Sequence, residues 1–142
     1  MSDEDSPLNS DDREFLGRPL YGILTTAEGP VPAQPRPVWF EVGEDGTVHL
    51  FTAPDAVKVR RLRSDPRASL VVIAPVGERE RWLSITGRVT LGEDGASDLV
   101  ARLFARYWGA EAPSRADELA GMLALEWVRI DLHPEKVRRF VN

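Results

Sequence analysis

The stretch PRPVWFEVGEDGTVHLFTAPDAVKVRRLRSDPR, residues 35–67, decides the fold. Its first part is extended: from Ala33 to Val42, residues Val38, Phe40 and Val42 fall on one face and Pro37, Trp39 and Glu41 on the other, the alternation of a strand. Pro35 and Pro37 have no N–H to give a ladder, which predicts an edge or an irregular start. Glu44, Asp45 and Gly46 supply a hairpin turn into a β-favouring run, Val48 to Thr52. Pro54 and Asp55 then open a helix to about Ser64, with Val59 and Leu62 on its buried face and Lys58, Arg60, Arg61 and Arg63 elsewhere, ended by Asp65 and Pro66.

Outward from this centre the signals are mostly those of strands. Leu20 to Thr26 favours β structure and is followed by a turn at Glu28, Gly29 and Pro30. The run Leu70-Val71-Val72-Ile73, within Ser69 to Ile73, reads as a strand covered on both faces, which in so small a protein calls for a partner subunit. Trp82 to Leu91 alternates, with Leu83, Ile85, Val89 and Leu91 opposed to Trp82, Ser84, Thr86 and Arg88. Ala96 to Trp108 changes to helical period, a second short helix is expected over Arg115 to Met122, and Leu125 to Leu132 reads as a last strand. At the front, a loose acidic tail is expected over residues 1–12, in which Ser10 caps a brief helix carrying Phe15 and Leu16; residues 13–142 form one domain. Consecutive strands joined by short turns pair antiparallel, so the expected architecture is α+β and mainly β: a six-stranded antiparallel barrel flanked by short helices. The repeated strand–helix alternation of a doubly wound sheet is missing.

Composition narrows the chemistry. The chain has 142 residues, 42% of them hydrophobic, enough for one core. With 18 Lys and Arg against 23 Asp and Glu, its total charge does not favour nucleic acid or an anionic membrane, so any anion site must be local. There is no cysteine for disulfides, thiolate catalysis or clusters, and the two histidines, His49 and His133, have no metal-ligand spacing. The N-terminus is acidic where a secretory signal would be basic and apolar, so a cytoplasmic location is the expectation. Neither GxxxxGK[ST], GxGxxG nor GxSxG occurs, and no acid pair stands out. Catalysis without nucleophile, metal or acid pair remains open to a protein whose cofactor carries the chemistry, so no catalytic side chain is assigned.

The residues Pro37-Val38-Trp39-Phe40, Leu50-Phe51-Thr52-Ala53 and Lys58-Val59-Arg60-Arg61-Leu62-Arg63 with Asp65-Pro66-Arg67 resemble, in order and spacing, the pyridoxamine 5′-phosphate oxidase-like split-barrel family, particularly its small flavin and deazaflavin members. The likeness extends over about Arg13 to Phe140, through Gly87-Arg88-Val89 and Pro134-Glu135-Lys136-Val137. It implies an FMN-binding split barrel working as a homodimer, with FMN, or alternatively the deazaflavin coenzyme F-420, held by its phosphate. Thr52 at a strand end and Lys58 at a helix start, with Arg61 one turn on, can converge on one phosphate, although the same cations could equally form a solvated basic face. Where this chain has Arg61, family members often have asparagine. The resemblance further implies that Arg36, Pro37, Val38 and Trp39, with Phe51 and Thr52, line the flavin ring, and that Trp82 reaches the site from the second subunit. Phe40 shares a face with Val38 and Val42 and is read as core; Trp39 could be either core or ligand contact.

The leading expectation is a flavin-dependent oxidoreductase that moves hydride to or from a small organic substrate. Oxidation of a vitamin B6 phosphate is disfavoured, because the ending Arg138-Arg139-Phe140-Val141-Asn142 only partly matches the family's substrate-phosphate cluster. The alternative is a non-catalytic dimer that binds flavin, or haem through His49 or His133.

Overall fold

In the computed structural model, which describes residues 6–109 and 113–142, the central stretch is not one strand but two. Strand β1 (Gly22–Thr26) pairs antiparallel with β2 (Arg36–Val38), while β3 (Glu41–Val42) pairs with β4 (Val48–Thr52) through the turn at 43–47. Helix α2 (Val57–Ser64) leads to β5 (Arg67–Ile73), β6 (Arg81–Gly92) and, after two further helices, β7 (Val128–Val141). The order across the sheet is β2-β1-β5-β6-β7-β4-β3. β2 and β3 are therefore its two edges, yet only Trp39 and Phe40 separate them, a gap that extended chain spans in about 11 Å. The sheet must curl until its edges meet, which makes it a half-barrel of seven strands rather than the six expected. Alternation alone could not show that the strand changes partner halfway; the prolines, which deny β2 a full ladder, and Phe40, fully buried at the seam, mark the place.

Inside the curl sit Leu24, Phe40, Val48, Leu50, Leu70, Val72, Leu83, Ile85, Ile130 and Leu132, all nearly inaccessible. On β5, Ala68, Leu70 and Val72 are buried, while Ser69 and Val71 are half-buried and Ile73 is exposed, so this chain by itself covers one face of the strand for which the sequence predicts cover on both with a partner subunit. β7 continues nine residues past the expected end at Leu132. Its second half, Pro134-Glu135-Lys136-Val137-Arg138-Arg139, is too polar to read as a strand, and Pro134 argues against one. A register shift resolves this: Thr86 faces Lys136 but Gly87 faces Pro134, so Glu135 is an extra residue and the proline sits at a bulge.

Helix α1 (Ser10–Leu16) is capped by Asn9 rather than Ser10, in a reciprocal box with Asp12. Asp12 is buried and also takes Arg139 Nη2 at 2.7 Å, and Leu8 is buried in the core, so Leu8 and Asp12 anchor a segment expected to be a loose tail, while Asn9, Ser10 and Asp11 between them are exposed; residues 1–5 of that tail lie outside the described residues. α2 begins at Val57, later than Pro54, because Ala53 to Ala56 forms a turn first. Helix α3 (Ala96–Tyr107) buries Leu99, Val100, Leu103 and Phe104. Its Arg102 pairs with Glu41, which with its cross-strand partners His49 and Asp131 lies on the face opposite Val48 and Leu50. α3 thus covers the outside of β3, β4 and β7 and leaves the outside of β1, β5 and β6 bare. Helix α4 (Pro113–Leu123) packs on α3. No helix among the described residues is long and apolar enough to cross a membrane.

Candidate functional site

Where the seam of the half-barrel meets the end of α3, a cavity of about 340 Å³ is lined by Tyr21, Pro37, Val38, Trp39, Phe51, Lys58, Trp108 and Met122. Its floor is Trp39. One face of that indole lies parallel to the ring of Tyr107, with centroids 5.2 Å apart and planes 4° apart. Phe51 and Trp108 meet it edge-on, at 72° and 78°. Trp127 in turn meets Phe51 edge-on at 5.1 Å and donates its indole N–H to the Met122 carbonyl at 2.7 Å. Offset and edge-to-face pairs are the favoured aromatic geometries, so Trp39 is held before any ligand arrives. Tyr107 adds a polar clasp: its hydroxyl donates to the Leu20 carbonyl at 2.6 Å and accepts from the Phe40 N–H at 3.2 Å.

Lys58 brings the charge. It is half-buried, on the first turn of α2, and no carboxylate among the described residues pairs with it. Burial holds its ammonium below the usual lysine value, and the Arg36 guanidinium nearby pushes it further down. A half-buried cation lining the cavity, with a second cation close enough to depress it and no carboxylate paired to it among the described residues, is a position that an anion would relieve. The walls are otherwise aromatic and aliphatic, so the arrangement suits a flat ring carrying a negatively charged group.

The residues expected at the site divide. Pro37, Val38, Trp39, Phe51 and Lys58 come together in the cavity, and Arg36 stands beside Lys58. Thr52 does not line it: adjacent strand residues point to opposite faces, and Thr52 turns inward with Val48 and Leu50 while Phe51 turns to the cavity. The Arg61 guanidinium lies against Gly29, where a Cβ would come within 3.4 Å of it, and so packs on the turn after β1. Trp82 stacks on Phe140, centroids 5.9 Å apart, on the bare outer face of the sheet. Tyr21, Trp108 and Met122 were not expected. The helical period of Ala96 to Trp108 placed Trp108 on a packing face, and nothing in the spacing of residues 21, 108 and 122 brings them together.

The histidines lie elsewhere. His49 Nδ1 is 2.7 Å from Asp131 Oδ1, beneath α3, and His133 Nε2 is 2.9 Å from the Thr90 hydroxyl. Neither lines the cavity. Among the described residues, no group of three His, Asp or Glu could hold a metal ion.

Comparison with known proteins bears on this geometry. No curated protein matches the chain. Among solved structures, an F420 reductase superposes with a TM-score of 0.72 at 23% identity, covering 92% of this chain and 98% of its own. A conserved hypothetical protein of Mycobacterium tuberculosis gives 0.70 at 22%, covering 99% of this chain and 89% of its own. A haem storage protein of Vibrio cholerae gives 0.67 at 18%, covering 94% of each. At such identities these likenesses establish the fold. The family description "Pyridoxamine 5'-phosphate oxidase", however, matches residues 8–138, nearly the whole length, and takes in β1 to β6, most of β7 and every residue that lines the cavity. The chain therefore belongs to the pyridoxamine 5′-phosphate oxidase family.

Proposed function

We propose that this protein is an oxidoreductase that binds a flavin phosphate, FMN or the deazaflavin coenzyme F-420, in the Trp39 cavity and moves hydride between it and a small organic substrate. The observation that carries the reading is Lys58, a half-buried cation with no carboxylate partner among the described residues, opening onto an aromatic floor. A bound flavin would supply the hydride chemistry. The protein's part is to hold and orient: Lys58 and Arg36 take the phosphate charge, Trp39 offers a fixed face for the ring, and Phe51 and Val38 keep water from its edge. β2 is an edge strand, and its outer backbone groups have no ladder partner, so they are free to meet the polar edge of a flavin ring.

The working unit we propose is a homodimer. The outer face of β1, β5, β6 and the C-terminal end of β7 presents Ile23, Val71, Ile73, Trp82 and Phe140, and α3 does not cover it. A second copy placed there would bury the apolar surface and bring Trp82 towards its partner's cavity.

Titration of cofactor-stripped protein with FMN, and separately with F-420, followed by flavin fluorescence, tests the reading. Tight binding of one of them, weakened about tenfold by Lys58→Ala, roughly 1.4 kcal/mol, is the expected result. Binding of neither would reject it, and a Soret band on adding haem would then favour a haem-binding role.

A further inference from the structure

Tyr21 lines the cavity yet is 59% exposed, which puts it at the mouth, and no ladder holds it, because β1 begins at Gly22. Its ring rests on Tyr107 instead, with centroids 5.9 Å apart and planes tilted by 36°. The backbone just ahead of it is tied to α3, since the Tyr107 hydroxyl donates to the Leu20 carbonyl at 2.6 Å. The Leu20 N–H in turn donates to the Arg18 carbonyl at 2.8 Å, closing a tight turn over Pro19. The place of Tyr21 therefore depends on what fixes residues 16–18.

Arg106 fixes them. It lies on the last turn of α3, and its guanidinium reaches across to the end of α1. There Nη2 donates to the Leu16 carbonyl at 2.9 Å and to the Arg18 carbonyl at 2.6 Å, and Nη1 donates to the Gly17 carbonyl at 3.1 Å. The last carbonyls of a helix have no intrahelical partner and carry its negative end, so a cation is favoured there on both counts. The same guanidinium lies 5.6 Å from the ring centroids of Phe40 and of Tyr107, at the seam of the barrel. The Arg18 carbonyl thus accepts from both Arg106 and Leu20, which links the guanidinium to Tyr21 through a few atoms of backbone. Arg106 itself does not line the cavity.

We propose that Arg106 is a positioning residue of the cavity: by holding the carbonyls of residues 16–18 it sets Tyr21 as the lip against which a bound ring rests, without touching the ligand. That the bound ring is a flavin rests on the reading above; that Arg106 sets Tyr21 does not. The planar guanidinium serves three carbonyls with two nitrogens of one fork, a geometry that no other side chain reproduces.

The chain has two tyrosines, Tyr21 and Tyr107, so protein labelled with 3-fluorotyrosine gives two fluorine resonances, which Tyr21→Phe assigns. In Arg106→Met the Tyr21 resonance is expected to move towards its position in the unfolded chain, in protein that still unfolds cooperatively. Titration with FMN and with F-420 should show the affinity about fivefold weaker than wild type, and Tyr21→Ala should weaken it at least as much. In the Tyr21→Ala background, Arg106→Met should cost less than about twofold further, because the group it positions is already gone. A role in stability alone would move neither the resonance nor this coupling. An unmoved Tyr21 resonance, a Tyr21→Ala variant that binds as wild type does, or losses that multiply in the double variant would each overturn the proposal. Should Arg106→Met not fold, Arg106→Lys, which keeps the charge at the helix end but not the planar fork, is read by the same measurements. If neither cofactor binds the wild type, the flavin reading fails, and the Tyr21 resonance still decides whether Arg106 sets the lip.

Discussion

The rings of Trp39 and Tyr107 lie parallel, 5.2 Å apart, and join the seam of the barrel to the last turn of α3. Trp39 belongs to the two-residue link between the sheet edges, and the Tyr107 hydroxyl bonds both Phe40, in that link, and Leu20, just before β1. One tyrosine thus closes the barrel and supports the floor of the cavity. The site needs a rigid ring at the one place where the sheet has no ladder, and the stack supplies it.

Removing the hydroxyl separates these two duties. Tyr107→Phe keeps the stack but leaves the Phe40 N–H and the Leu20 carbonyl without this partner at a half-buried position. Urea unfolding should show a loss of about 1–2 kcal/mol. Cofactor affinity should change less than on Trp39→Ala, which removes the floor itself. A variant as stable as wild type would show that the seam closes without the clasp.

Lys58 should cost stability while it serves binding. Its ammonium is held below the ordinary value of 10.5, so between the lowered value and 10.5 the unfolded chain binds a proton that the folded chain does not. Stability contributed by this residue therefore rises with pH across that window, and below it the full cost of the unpaired charge remains. Lys58→Met should raise the melting temperature of ligand-free protein by a few degrees at pH 7, about 0.5–1 kcal/mol, and flatten the alkaline part of the profile. The same variant should lose phosphate-dependent flavin binding. A drop in melting temperature would mean that Lys58 has a stabilising partner in the folded chain.

Much of the fold was legible, and the failures have physical causes. Val48 to Thr52, the hairpin turn before it and the alternation of β6 follow from local signals that tertiary contacts reinforce. The split of β2 from β3 does not, because a strand that exchanges partners keeps its alternation. The far half of β7 is polar because it runs along the barrel edge past α1, where Arg139 serves Asp12 rather than the core. At the site, five of the nine expected residues meet. That Thr52 lies on the face of β4 opposite Phe51 follows from strand alternation alone. Trp108 and Met122 could not have been found, because only the packing of α4 on α3 brings them to the seam.

The bulge in β7 makes a sharp demand on Gly87. A Cβ there would fall 1.9 Å from the His133 carbonyl oxygen and 2.8 Å from its carbon, both backbone atoms in the longest ladder of the sheet. Neither can swing away as a side chain could. Gly87→Ala should destabilise by more than about 3 kcal/mol, seen as loss of soluble protein or a collapsed denaturation midpoint, whereas Gly92→Ala, with open space around it, should be nearly neutral. Equal tolerance at both positions would mean that the two long strands can change register.

The bare face of β1, β5 and β6 gives the last test. Ile73 is 54% exposed and lies between Tyr21's end of β1 and Trp82, so a lysine there should leave the isolated fold intact. If a second copy covers that face, Ile73→Lys buries a charge against an apolar surface, and light scattering should report a monomer at micromolar concentration where the wild type is a dimer. Flavin affinity should fall with dimer loss if Trp82 of one copy reaches the cavity of the other, although residue 73 does not line that cavity itself. A wild-type monomer would reject the shared site. A dimer untouched by the substitution would place the interface elsewhere and leave the exposed face of β5 to another partner.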